Sequence, residues 1–135
     1  MNELKNNENF KAGNYKTALE ENFLRMDNMM VAAKGKTKSA TQDTMENEDA
    51  GCTANVVLIT KDRIYCANSG DSRAVLCEDG KEVELSHDHK PDNEEEKARI
   101  EKAQGFVSFG RTNGVLSLSR ALGDFDYKTN EQLKA

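Results

Sequence analysis

Between Asn55 and Leu85 the chain alternates short β-favouring runs with tight turns, and this leaves few folds open to it. Asn55-Val56-Val57-Leu58-Ile59-Thr60 is branched and almost continuously apolar, the pattern of a strand buried on both faces. Lys61-Asp62 is a turn, and residues 63–67 return antiparallel. Residues 74–77 and 81–85 flank Glu78-Asp79-Gly80, where the Asp-Gly pair is a strong hairpin signal. Strands joined this tightly pair antiparallel, since a parallel neighbour needs a long crossover. The expectation is a four-stranded antiparallel meander.

The middle connection of that meander is Asn68-Ser69-Gly70-Asp71-Ser72-Arg73. A glycine and a single carboxylate sit where one strand hands over to the next. Such a turn can hold Asp71 clear of the core to bind a cation, and it can equally be an ordinary hairpin tip.

Around this β region the patterning is helical or polar. Residues 1–14 are rich in Asn and Glu and are expected to be poorly ordered. Tyr15, Ala18, Leu19, Phe23, Met26 and Met30 recur at three- and four-residue steps, which predicts a helix to about Ala33 with that stripe laid on a sheet. Met26, Met29 and Met30 read as gap-filling core. Residues 34–50 are nearly devoid of apolar side chains and read as a flexible loop, with Lys36 and Lys38 solvated. Beyond residue 86, Asp92 is placed to cap a helix, with Glu95 completing a capping box and Gly105 supplying the stop. Residues 106–109 and 115–118 read as short strands about an Asn113-Gly114 turn, and 129–135 as a frayed tail.

Composition limits what such a chain can bind. Of 135 residues, 36% are hydrophobic and 32% charged, so the core should be small or completed by something else. A net charge of -5 argues against nucleic acid or an anionic membrane as partner. No apolar run reaches membrane-spanning length, and the N-terminus lacks a signal-peptide core, so an intracellular, cytoplasmic protein is expected. Cys52, Cys66 and Cys77 are odd in number and widely spaced, which points to small buried hydrophobes and not to a zinc site or disulfide framework. His87 and His89 flank Asp88 without a third ligand nearby and read as loop residues.

Taken in order, several blocks resemble the metal-dependent protein serine/threonine phosphatases of the PPM family (type 2C). They are Gly51-Cys52-Thr53-Ala54, the stretch 67–76 around Gly70-Asp71-Ser72-Arg73, and His87-Asp88-His89-Lys90-Pro91 with the helix after it. Gly110-Arg111-Thr112-Asn113-Gly114 and Leu118-Ser119-Arg120-Ala121-Leu122-Gly123-Asp124 complete the series. The resemblance covers about residues 15–128. It implies an α+β fold, a four-layer β-sandwich of two antiparallel sheets flanked by helices. It also implies a pair of Mg²⁺ or Mn²⁺ ions that activate water to attack phosphoserine or phosphothreonine on a phosphoprotein substrate. Paired metals suit this reaction because they make a nucleophile at neutral pH and neutralise charge on the phosphoryl oxygens.

By the same resemblance, Asp71 takes the position of a ligand to a third, weaker metal. Residues from about 89 to 114 match a flap beside the cleft, with Arg111 on a flap arginine. Gly70, Ser72, Arg73, Arg120 and Asp124 support the cleft. The family's Asp-Gly-His-Gly and Asp-Gly-x-Trp-Asp segments, and an upstream phosphate-gripping arginine, have no counterpart in the sequence. One carboxylate cannot replace a binuclear site, because hard cations want several oxygen ligands. The chain is therefore expected to be an incomplete, internal part of a phosphatase domain, inactive alone. Asp71 is expected to be vacant or held by Ser72 and neighbouring amides. The alternative is a truncated, non-catalytic family member, a binding or structural component that meets a complementing chain or assembly through its open strand edges.

Overall fold

A computed structural model of the chain describes residues 2–37 and 50–128. Helices and small antiparallel sheets alternate along it, an α+β composition, and they fall into two units, Met1–Ala50 and Gly51–Ala135.

The first unit is helical from its start. Where poor order is expected, α1 (Asn2–Asn6) and α2 (Glu8–Lys11) form and precede α3 (Tyr15–Thr37). Local hydrogen bonding accounts for them. The Asn7 side chain accepts from the Phe10 amide and caps α2. Gly13, at φ 82°, ends that helix through bonds from its own amide to Phe10 and from the Asn14 amide to Asn9. The chain then reverses into α3, with Phe10 and Tyr15 edge to face at 5.2 Å. Asn7 and Asn9 both donate to the Glu21 carboxylate, which lowers its pKa, and Arg25 pairs with Glu3. Of the helical stripe, Ala18 and Leu19 are buried; of the methionines expected as core, Met26 and Met29 are exposed. Helix α3 runs past Ala33 into the expected loop. The remainder of that loop, 38–49, and the tail 129–135 lie outside the described residues.

In the second unit the expected meander is two separate hairpins. Strands β2 (Ala54–Ile59) and β3 (Ile64–Ser69) pair from Ala54↔Ser69 to Ile59↔Ile64. Strands β4 (Val75–Glu78) and β5 (Lys81–Glu84) pair around Asp79 and Gly80, whose φ values of 50° and 76° are those of the turn that Asp-Gly favours. No ladder joins β3 to β4, because residues 70–74 leave extended pairing to carry the chain between the hairpins. Strand β2 is not buried on both faces: Val56 and Val57 are exposed, and Ile59 is 72% exposed. A ribbon of two strands has no second layer of its own to cover that face.

Two very short strands, β1 (Gly51–Cys52) and β8 (Leu122–Gly123), join the beginning and end of this unit. The approach depends on Gly51, since a side chain there would meet the Asp124 carboxylate at 2.3 Å. Cys52 and Cys77 are exposed, against the expectation of burial, and Cys66 is half-buried with its thiol toward Asn55.

Helix α4 (Glu94–Lys102) starts one residue later than the spacing of Asp92 suggests. Asn93 is its N-cap, without a side-chain capping bond, and donates instead to the Asp88 carbonyl. Its stop also shifts. Gln104, at φ 65°, takes the left-handed position, and the following Gly105 amide bonds the Ile100 carbonyl. Beyond it, β6 (Val107–Ser108) and β7 (Arg111–Thr112) pair around Phe109-Gly110, so Arg111 lies in a strand and not in a turn. The expected strand over 115–118 reduces to a single bridge between Thr112 and Leu116. After β8 the described chain ends in a short 3₁₀ helix, η1 (Phe125–Lys128).

One charged side chain ties α4 to the strand-poor segment before β8. Glu96 is 4% exposed. Arg120 grips both its oxygens, Nη2 at 2.6 Å and Nε at 2.9 and 3.0 Å. The Ser119 hydroxyl donates at 2.6 Å and Arg99 Nη2 at 3.0 Å, while Arg99 also bonds the Ser119 carbonyl. Burial alone would raise the carboxyl, but the bonds from Arg120, Ser119 and Arg99 outweigh it and hold the pKa at about 2.

Because the folded value is depressed, this contribution is fully present above the ordinary 4.5 and lost as pH falls through about 2. Glu96→Ala should cost about 2 kcal/mol in urea unfolding at neutral pH, since it removes the buried acceptor shared by Arg120, Ser119 and Arg99 and leaves a gap in its place. Arg99→Ala, at an exposed partner, should cost under about 1 kcal/mol. Repeating the unfolding at acid pH should show the wild type losing stability between about 4.5 and 2, with Glu96→Gln lacking that part of the loss.

Candidate functional site

The connection 68–73 pairs with neither hairpin beyond Ser69, so side chains must satisfy its backbone. Asn55 and Asn68 are register partners, and both turn their amides to this task. Asn55 Nδ2 lies 3.0 Å from Asn68 Oδ1, 3.0 Å from Ser86 Oγ and 3.2 Å from the Ser72 carbonyl. The buried Ser86 hydroxyl accepts in turn from the Ala74 amide. Asn68 Nδ2 donates to the carbonyls of Gly70 and His87.

Gly70 is buried at φ 108°, and a Cβ there would stand 2.5 Å from Thr53 Cγ2. Only glycine fits that conformation and that space. Its amide donates to His89 Nδ1 at 3.1 Å, and the His89 amide donates back to its carbonyl at 3.0 Å. Nδ1 is thus an acceptor, which places the neutral ring's proton on Nε2. Burial, with the positive charge of Arg120, lowers the His89 pKa and favours this neutral form.

Around that clamp the other expected site residues take distinct places. Asp71 is held by neither Ser72 nor amides: Lys90 Nζ reaches its Oδ2 at 2.5 Å. The Ser72 hydroxyl instead shares a 2.7 Å bond with Thr53. Arg73 spans Asp88 at 2.9 Å and Glu84 at 2.7 Å, and its hydrogen bond lowers the Asp88 pKa. Arg120 belongs to the Glu96 cluster. Asp124, at φ 47°, ends β8 against Gly51, where burial raises its carboxyl despite the opposing charge of Lys128. Arg111 is exposed in the β6–β7 hairpin and donates to the Val115 carbonyl at 2.6 Å.

Asn55, Ser86, Glu96 and the clamp made by His89 are the supporting residues that pattern reasoning passes over. Asn55 carried a signal, as a polar residue opening an apolar strand. The others become visible only once loop 85–93 is folded against the turn.

The described residues do not fit a paired metal centre. Among the described residues no three His, Cys, Asp or Glu side chains converge as metal ligands. Asp71 offers one carboxylate, and an ammonium already engages it. Among the described residues, too, no helix is long and apolar enough to cross a membrane.

Sequence comparison matches nearly the whole chain to curated relatives. A "Probable protein phosphatase 2C 2" from Paramecium tetraurelia is 50% identical over 136 residues, covering 99% of this chain and 45% of that protein. "Protein phosphatase 2C homolog 2" from Schizosaccharomyces pombe is 47% identical over 131 residues, 96% of this chain and 33% of its own length. The chain thus spans less than half the length of these relatives. A crystal structure of a phosphatase from Toxoplasma gondii superposes on 64% of the chain and 38% of its own, with a TM-score of 0.48 and 32% identity. The sequence profile of Protein phosphatase 2C matches residues 1–134, nearly the full length, and the chain therefore belongs to the protein phosphatase 2C family.

Proposed function

We propose that this chain forms part of the active-site wall of a protein serine/threonine phosphatase. The enzyme would act inside the cell on phosphoproteins and depend on Mg²⁺ or Mn²⁺. The observation that carries the reading is the family match over residues 1–134. In this proposal the turn 68–73 presents Asp71 toward the cleft, and Asn55, Asn68 and His89 keep it there. Arg73 and Arg120 fix the loops behind it. The segment from about 89 to 114 is proposed as the flap, with Arg111 facing the substrate. Bound metals would supply the nucleophile and offset phosphoryl charge, but the described residues do not bring together the ligands for such a pair. The chain by itself is accordingly proposed to be inactive.

A second reading, a non-catalytic component completed by another chain, draws support from the apolar side chains left open on the hairpins. Ile59 is 72% and Val75 56% exposed, with Val56, Val57 and Ile64 also uncovered. Strand faces of this kind invite pairing.

Purified chain should release no phosphate from a phosphothreonine peptide above background, with or without Mn²⁺; metal-dependent turnover well above background overturns the proposed inactivity. Size-exclusion chromatography addresses the second reading separately. A complemented component should elute as an oligomer or need its partner for solubility, and a well-behaved folded monomer counts against it.

A further inference from the structure

Segment 87–91 is fastened to the turn 68–73 at several points, and one of these fastenings can take up a proton. Asn68 holds the His87 carbonyl, and Arg73 holds the Asp88 carboxylate. His89 exchanges two hydrogen bonds with Gly70, one through its own backbone amide and one through Nδ1. The backbone bond does not depend on the state of the ring. The ring bond does, because the buried Gly70 amide can only donate and Nδ1 must therefore accept. Protonation would set one N–H against another and leave the Gly70 amide without an acceptor in a buried position.

The surroundings of the ring do not compensate. Arg120 and Arg99 oppose a positive charge there, and Glu96 favours it. Both Glu96 oxygens are already engaged by Arg120, with Ser119 and Arg99 also on Oε2. Along its own segment, His89 stands between Asp88, which is taken by Arg73, and Lys90, which is paired with Asp71. We propose that His89 is a proton-sensitive latch: neutral, it locks segment 87–91 onto the turn 68–73, and protonated, it releases that segment. Burial and the arginine charge keep the ring's pKa below the ordinary 6.5. The latch is thus fully closed above 6.5. It loosens as pH falls below that value, by up to about tenfold per pH unit until the folded pKa is passed. Asp88, its own pKa lowered by Arg73, keeps its charge over that range and remains as a tether, which makes the release local.

Amide hydrogen exchange and imidazole NMR on the purified chain, from about pH 8 to about pH 5, test it. The His89 ring should be the Nε2–H tautomer and titrate below 6.5. Corrected for the intrinsic pH dependence of exchange, protection of the Gly70 amide should fall about tenfold across the range. His89→Asn, whose side-chain oxygen can still accept but does not titrate, should make that protection independent of pH. His87→Gln, at the other and exposed histidine of the sequence, should leave the wild-type dependence intact. A ring that titrates at or above 6.5, or equal Gly70 protection at both ends of the range, overturns the proposal. So does a dependence that persists in His89→Asn or vanishes in His87→Gln. Should His89→Asn fail to fold by circular dichroism, the wild type decides: the His89 ring and the Gly70 amide must titrate with one midpoint, and separate midpoints overturn the proposal.

Discussion

A connection that belongs to no ladder must find its hydrogen bonds elsewhere, and much of the second unit is arranged around meeting that need. Residues 70–74 leave β3 before β4 begins, and Asn55 reaches across from β2 to three acceptors at once. An amide has two N–H groups, so the three contacts share donors, and the geometry holds only while Asn68, Ser72 and Ser86 stay together. Ser86 and His89 then bind the loop before α4 to the same point. The turn is held from three directions, and Asp71 is carried on a frame that does not depend on its own charge.

The charged groups divide by burial and not by number. Glu96 is nearly excluded from water and surrounded by three donors, so its removal takes away the one buried acceptor they share. Arg73 with Glu84 and Asp88 has equally short distances at a half-exposed position, where solvent screens most of the attraction. The first fixes α4 to the segment before β8; the second trims the orientation of a loop. Distance alone would rank them together.

Much of this was legible in the sequence, for local reasons. Apolar periodicity placed α3, and the Asp79-Gly80 and Lys61-Asp62 turns placed both hairpins, because each signal lies within the element it specifies. Gly70, Arg73 and Arg120 were named as cleft supports through the resemblance alone, and the structure gives the two arginines carboxylate partners. The misses were of two kinds. Element ends moved by a residue where several caps were available, as with Asp92 and Asn93, or Gln104 and Gly105. Side-chain partners across loops, such as Lys90 for Asp71, depend on where a second segment folds, and no pattern within either segment encodes that.

The pairing of β1 with β8 has a consequence for the order in which the chain can organise. Each hairpin brings together residues close in sequence, whereas Gly51 meets Gly123 only after almost the whole second unit has been drawn into a loop. Loop-closure entropy must be met before so short a ladder returns anything. The two-residue strands cannot carry that cost themselves; it falls to the Glu96 cluster and the clamped turn, which bring the ends near. The shortest sheet in the unit thus reports whether everything between its strands has already come together.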